Sequence, residues 1–322
     1  MCLRWWMLVI LETLGGCAHS RLETIASPGP VPSDDDSSQP PGTAMKDGGC
    51  ESDADPAHRR TVCGKPWLWG VTVDDLSAPD EIVDALRSFS VRPTTRIVFD
   101  WGQPAASYQK PLTKIHQVSN VMGELLDSQA VKRVPVDAYL DRTKAYLDAL
   151  EPLVDIWEIG NEVNGDWLGA APDVVAKVSG AYKEVKSRNG TTALTLHYNQ
   201  GCGGPADHEM FAWSEANLPA AMKVGLDYVF ISYYEDDCHG LQPDWPVVFE
   251  RLARMFPSSA LGFGECGTVH AVHKEAYLKR YYRTRVPEPR FVGGYFWWYF
   301  NADMVPRTRP LWSVLNGLMV GP

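Results

Sequence analysis

LWGVTVDDLSAPDEIVDALRSF, residues 68–89, decides between the two folds open to this chain. Leu68–Val73 is a short β-favouring run, mostly apolar. Pro79–Phe89 spaces its apolar residues as a helix does and opens on a proline followed by two acids, as a helix start should. The connection between them, DDLSAPDE at 74–81, contains no glycine. A doubly wound nucleotide-binding sheet needs a glycine-rich phosphate loop after its first strand. This unit therefore reads as the first βα step of an α/β (β/α)8 barrel.

The alternation continues through residues 61–322. Further strands are predicted at Thr95–Phe99, Val121–Leu126, Val154–Ile159, Ala193–Tyr198, Tyr228–Tyr233, Ala260–Gly264 and Val292–Tyr299. Further helices are predicted at Val136–Leu150, Asp173–Ser187, His208–Ala221, Trp245–Phe256, His273–Thr284 and near Pro310–Leu318, while Ala105–Gln117 is too interrupted to be assigned one. Eight strands with seven or eight helices in this length suit a barrel, which takes about 250 residues.

What precedes the barrel reads as an address and a tether. Arg4 and the apolar stretch Trp5–Leu11 are too short for a membrane span, which needs roughly 20 apolar residues. The sequence Leu14-Gly15-Gly16-Cys17 resembles a bacterial lipoprotein signal, which implies lipidation of Cys17; the alternative is an ordinary secretory signal. Residues 18–60 are rich in Ser, Pro, Gly and Asp and bury too little apolar surface to offset ordering entropy. The expected organisation is a signal at 1–17, a flexible tether at 18–60 and one barrel at 61–322. The only membrane contact expected is the lipid anchor, at the cell envelope, with secretion as the alternative.

Charge and cysteines bear on partners and compartment. The chain has 322 residues and a formal charge of −10, and seven acids stand against three bases within residues 27–60 alone. An acidic chain lacks the basic face that displaces counterions from nucleic acid, so no nucleic-acid partner is expected. Past Cys2 and Cys17 there are five cysteines, none with zinc-ligand spacing. One arrangement pairs Cys50 with Cys63 and Cys202 with Cys238 and leaves Cys266 as a buried thiol. In a reducing compartment all five would be free.

Barrel chemistry sits at the carboxyl ends of strands. The fourth predicted strand ends WEIGNEVNG, residues 157–165, with Glu162 leaving it after Asn161; the seventh ends GFGECGT, residues 262–268, with Glu265. Strands four and seven lie across a barrel mouth, so the two carboxyls can face each other over a substrate. Two carboxyls flanking a glycosidic bond, one protonated and one ionised, are what sugar hydrolysis requires. A separation of about 5 Å belongs to retention and about 9 Å to inversion.

These motifs resemble clan A retaining glycoside hydrolases, a superfamily of (β/α)8 enzymes with an Asn-Glu pair after strand four and a Glu after strand seven. The resemblance implies that Glu162 is the acid/base, that Glu265 is the nucleophile and that Asn161 contacts the sugar 2-hydroxyl. RIVFDW on strand two supplies Arg96, which would keep the nucleophile ionised. DYVFISYYEDD on strand six supplies a terminal tyrosine, Tyr234 with Tyr233 as the alternate, and GGYFWWYF on strand eight supplies a floor tryptophan, Trp298 with Trp297 as the alternate. No metal or organic cofactor is implied.

Other residues follow from position. Trp101 and Trp167 are candidate sugar platforms, since flat rings suit the CH face of a pyranose; the alternative is packing. His197 and Asn199 end strand five and are candidates for sugar hydroxyls. Glu235, Asp236, Asp237 and His239 read as a solvated acidic rim more than a metal site. Trp69, Trp101, Trp157, Trp167, Trp297 and Trp298 fall on predicted strands or just after them, which predicts that several line a sugar cleft. The function expected is cleavage of O-glycosidic bonds by a retaining hydrolase. Transglycosylation and non-catalytic carbohydrate binding are the alternatives.

Overall fold

The computed structural model describes residues 61–62 and 64–320. The signal, the tether, Cys17 and the Cys50–Cys63 pairing lie outside the described residues. After a short antiparallel hairpin of Thr61–Val62 and Lys65–Pro66 come eight strands: β1 (Leu68–Val73), β2 (Thr94–Val98), β3 (Asn120–Glu124), β4 (Ile156–Glu158), β5 (Thr192–His197), β6 (Tyr228–Tyr233), β7 (Ala260–Cys266) and β8 (Phe291–Trp297). Each pairs in parallel with its sequence neighbours, and β8 pairs with β1, so the sheet closes into a (β/α)8 barrel.

The strands are buried on both faces, as a parallel sheet wrapped in helices must be. Strand residues point alternately inward and outward. Leu68, Met122, Ile156, Ala193, Tyr228, Phe230, Ala260, Val292 and Phe296 form a separate apolar cluster, which is the barrel interior. Two residues further along their strands come Glu124, Glu158, Thr195 and Ser232, and Trp298 follows just past the end of β8. The interior is thus an apolar plug capped by a polar layer at the carboxyl ends. The outward faces join the helices in the larger core.

Three elements differ from the sequence expectation. Ala106–His116 is a helix although Pro111 lies inside it; Tyr108, Leu112 and Ile115 make its buried stripe. The stretch 208–221 breaks at Pro219 into Met210–Asn217 and Ala220–Gly225, because proline cannot continue a helix interior. β4 has only three residues.

Cys202 and Cys238 are bonded, tying the loop after β5 to the loop after β6, and Cys266 is a buried free thiol. Among the described residues no helix is long and apolar enough to cross a membrane.

Candidate active site

Alternation from Ala260 through Gly262 would send Gly264 inward and Glu265 outward. Instead the β6–β7 register slips: Ile231 pairs with Phe263, but Ser232 pairs with Glu265. This bulge at Gly264 turns Glu265 into the mouth, a common use of bulges beside active sites. A side chain at 264 is excluded, since its Cβ would lie 2.6 Å from Cβ of Phe230. Glu265 then receives two donors: Arg96 Nη1 donates to Oε2 at 2.8 Å and Tyr234 OH donates to Oε1 at 2.5 Å.

Glu162 leaves β4 with φ at 51°, left-handed backbone that costs a non-glycine residue about 1–2 kcal/mol. Such strain persists where surrounding contacts hold it, and here they come from three elements. Ser128 Oγ donates to Oε2 at 2.8 Å, Ser232 Oγ donates to Oε1 at 2.7 Å, and His197 Nδ1 lies 3.4 Å from Oε1. Both Glu162 and Glu265 are buried.

The two carboxyls titrate differently. Burial would raise Glu162, but the donors His197, Ser232 and Ser128 outweigh it and hold its pKa below the ordinary value. Burial pushes Glu265 up to about 8; Arg96 pulls against this, the Glu162 charge adds to it, and the Tyr234 hydrogen bond pulls back. Near neutral pH this balance leaves Glu162 ionised and Glu265 protonated in the unliganded site. A protonated leaving-group oxygen needs that proton, so turnover is expected to fall as pH rises through about 8. A profile of kcat/KM against pH, flat from 7 to 10, would contradict this.

Beneath the pair lies a buried acid cluster that sequence reading did not find. Arg96 Nε donates to Glu158 Oε2 at 2.6 Å and Nη2 donates to Oε1 at 3.2 Å, a fork-to-fork pair; Thr195 Oγ1 adds a third donor at 2.5 Å. Glu124 Oε2 is 3.1 Å from Arg96 Nη2, yet neither Glu124 oxygen makes a hydrogen bond among the described residues. One guanidinium cannot offset three buried carboxylates at tolerable cost. Burial, opposed by Arg96, raises Glu124 well above its ordinary value, so it stands neutral beside the Arg96–Glu158 pair.

The remaining candidates divide. Trp298 stands at the mouth with the Arg96 guanidinium carbon 5.6 Å from its ring. Its alternate, Trp297, is fully buried and donates Nε1 to Asp303, and Tyr233 is likewise buried, its hydroxyl on the Leu241 carbonyl. Asn161 is 2% exposed and its Oδ1 has no hydrogen-bond partner among the described residues. His197 is not free for a sugar alone, because it faces Glu162. Trp167 presents its ring to the His197 imidazole edge-on at 5.2 Å. Asn199 is occupied by backbone, donating to the His208 carbonyl and accepting from the Met210 amide.

Trp101 is 53% exposed beyond the end of β2, while Trp69 and Trp157 are core residues, which corrects the reading of the aromatic excess. The acidic loop after β6 is not simply a solvated rim. Glu235 is buried on Arg280 and Tyr281, and Asp236 accepts from Thr268 and Tyr277, so both clamp neighbouring elements. Burial raises the Tyr299 hydroxyl pKa, and the Glu265 charge adds to it.

No family model and no curated protein matches the chain. Solved structures do. Saccharomyces cerevisiae Gas2p in complex with laminaritriose and laminaritetraose matches with TM-score 0.51 and 16% identity over 81% of this chain, and the same protein with laminaripentaose with 0.52 and 14% over 82%. ScGas2 in complex with a further compound gives TM-score 0.55 and 15% identity over 82%. The chain spans 65% of the length of each of these proteins. At these identities the likeness is one of fold.

Proposed function

We propose that this chain is a retaining glycosidase acting on laminari-type oligosaccharides or glucans, linear β-1,3-linked glucose chains, through Glu265 and Glu162. The observation that carries the reading is the pairing of Glu265, held by Arg96 and Tyr234, with Glu162, held by two serine hydroxyls and faced by His197, at one level of the barrel mouth. The likeness in fold to a protein solved with laminari-oligosaccharides supports the substrate class.

In this scheme Glu265 attacks the anomeric carbon as its bond to the leaving oxygen breaks, and Glu162 gives that oxygen its proton. Glu162 then takes a proton from water, whose oxygen displaces Glu265 and restores the starting configuration. Attack requires Glu162 protonated and Glu265 ionised, so a bound sugar must lower the proton affinity that burial gives unliganded Glu265. Arg96 and Tyr234 serve the ionised form of Glu265 once it does. The unpartnered Asn161 Oδ1 accepts a sugar hydroxyl, Trp298 supplies a flat face beside the cleaved bond, and Trp101 offers a second face on the rim.

Incubation with laminaripentaose, followed by chromatography of the products, tests this. Shorter sugars are expected; longer ones would mean that a second sugar replaces water, the transglycosylase outcome. Laminaripentaose that binds and is recovered unchanged would overturn catalysis and leave a carbohydrate-binding lipoprotein. For location we read export with lipidation at Cys17, and the Cys202–Cys238 bond supports the export part, since such bonds persist in oxidising compartments.

A further inference from the structure

We infer that His197 is a positioning residue for Glu162, one whose Nδ1 sets whether Glu162 stands as a base or as an acid. The inference deepens the catalytic reading above and rests on it for its meaning in turnover.

The placement comes from the sheet. His197 pairs with Ser232, and Ser232 with Glu265, so these residues share one level on β5, β6 and β7. At that level Nδ1 of His197 is buried, makes no hydrogen bond meeting ordinary geometry, and has Glu162 Oε1 at 3.4 Å. The loop that carries Glu162 also fixes His197. Asn164 accepts from the His197 amide at 2.7 Å and donates to its carbonyl at 2.9 Å. Trp167 closes on the imidazole edge, seated where Gly165 leaves room: a Cβ at 165 would come within 2.6 Å of the Trp167 ring. Histidine and glutamate are thus set against each other by one rigid segment.

An imidazole suits both halves of a double displacement. With hydrogen on Nδ1 it donates to ionised Glu162, the form that deprotonates water. With hydrogen on the other nitrogen, bare Nδ1 accepts from protonated Glu162, the form that serves the leaving group. The serine hydroxyls also donate to ionised Glu162 and rotate to accept from it when it is protonated. Other charged groups at this place push the same way as one another. Asp127 before the helix Ser128–Val131, Asp237 in the loop after β6 and, once ionised, Glu265 on β7 all oppose ionisation of Glu162, and Tyr234 on β6 is neutral. Arg96 on β2 is engaged by Glu158 and Glu265. His197 is the opposing donor with a tautomer to change.

The test is a titration of the glutamate carboxyl carbons by ¹³C NMR in the full chain, with the Glu162 signal assigned by its loss in Glu162→Gln. His197→Ala is expected to raise the proton affinity of Glu162 by about tenfold, one pKa unit. His197→Asn, which returns an N–H at the Nδ1 position, is expected to restore most of the native midpoint. Near-UV circular dichroism identifies any variant that fails to fold, and His197→Asn keeps the test alive if His197→Ala does. An unchanged or lowered midpoint in a folded His197→Ala protein, or no recovery in His197→Asn, overturns the inference. The titration does not depend on turnover. A raised midpoint in a chain that leaves laminaripentaose intact upholds His197 as the group that sets Glu162 and overturns the catalytic reading alone.

Discussion

Glu265→Ala is expected to lower turnover of laminaripentaose by at least about 10⁴-fold, because no other group among the described residues of the mouth is proposed to form the covalent intermediate. The loss should appear in kcat and kcat/KM together, since the attack exists only in the transition state. The variant also removes one hydrogen-bond acceptor from Arg96. The guanidinium keeps its two-pronged contact with Glu158, so the fold should survive with lowered stability. Glu265→Gln keeps the hydrogen-bonding shape beside Tyr234 and should lose as much activity with less effect on melting. A folded Glu265→Ala protein with native turnover would end the mechanism.

Glu162→Ala is expected to act on the two halves of the reaction unequally. With laminaripentaose, whose leaving alcohol needs a proton, the loss should be about 10²–10⁴-fold, the usual contribution of a positioned acid. With an aryl laminaribioside carrying an acidic phenol the first step no longer needs that proton, so a burst of phenol should precede a slow release of the sugar. Azide needs no general base, and adding it should restore turnover and yield a glycosyl azide of unchanged configuration. Equal losses on both substrates, with no response to azide, would remove Glu162 from this role. The stability cost should be small, because Ser128 and Ser232 can hydrogen-bond to water admitted at the mouth.

Much of the barrel is legible in the sequence because parallel strands buried on both faces read as short apolar runs between amphipathic segments. Leu68–Val73 and Tyr228–Tyr233 have the same bounds in both, as has the helix Val136–Leu150. The helix Ala106–His116 was hidden by Pro111, whose cost is met by tertiary burial of Tyr108, Leu112 and Ile115. At the site, Arg96 and Tyr234, which only the resemblance pointed to, both contact Glu265, and Glu162 meets Ser232 at the same level. The reason Glu265 faces inward was not legible: period two predicts Gly264 there, and only the bulge corrects it. Glu124 and Glu158 give no sequence signal of their own, since a buried acid shows only against its cation. Ser232 lay two residues before Tyr234, on the same face, and that period was the signal available for it.

The most direct test of Glu265 as nucleophile is covalent trapping. A β-laminaribiosyl fluoride with fluorine at C2 of the reacting ring slows both steps by destabilising the oxocarbenium-like transition state, while the fluoride leaving group lets the first proceed. After peptic digestion, mass spectrometry should find the added laminaribiosyl mass on the peptide containing Glu265 and on no other. The same label on the peptide containing Glu162, or none on a protein that still cleaves laminaripentaose, would contradict the account.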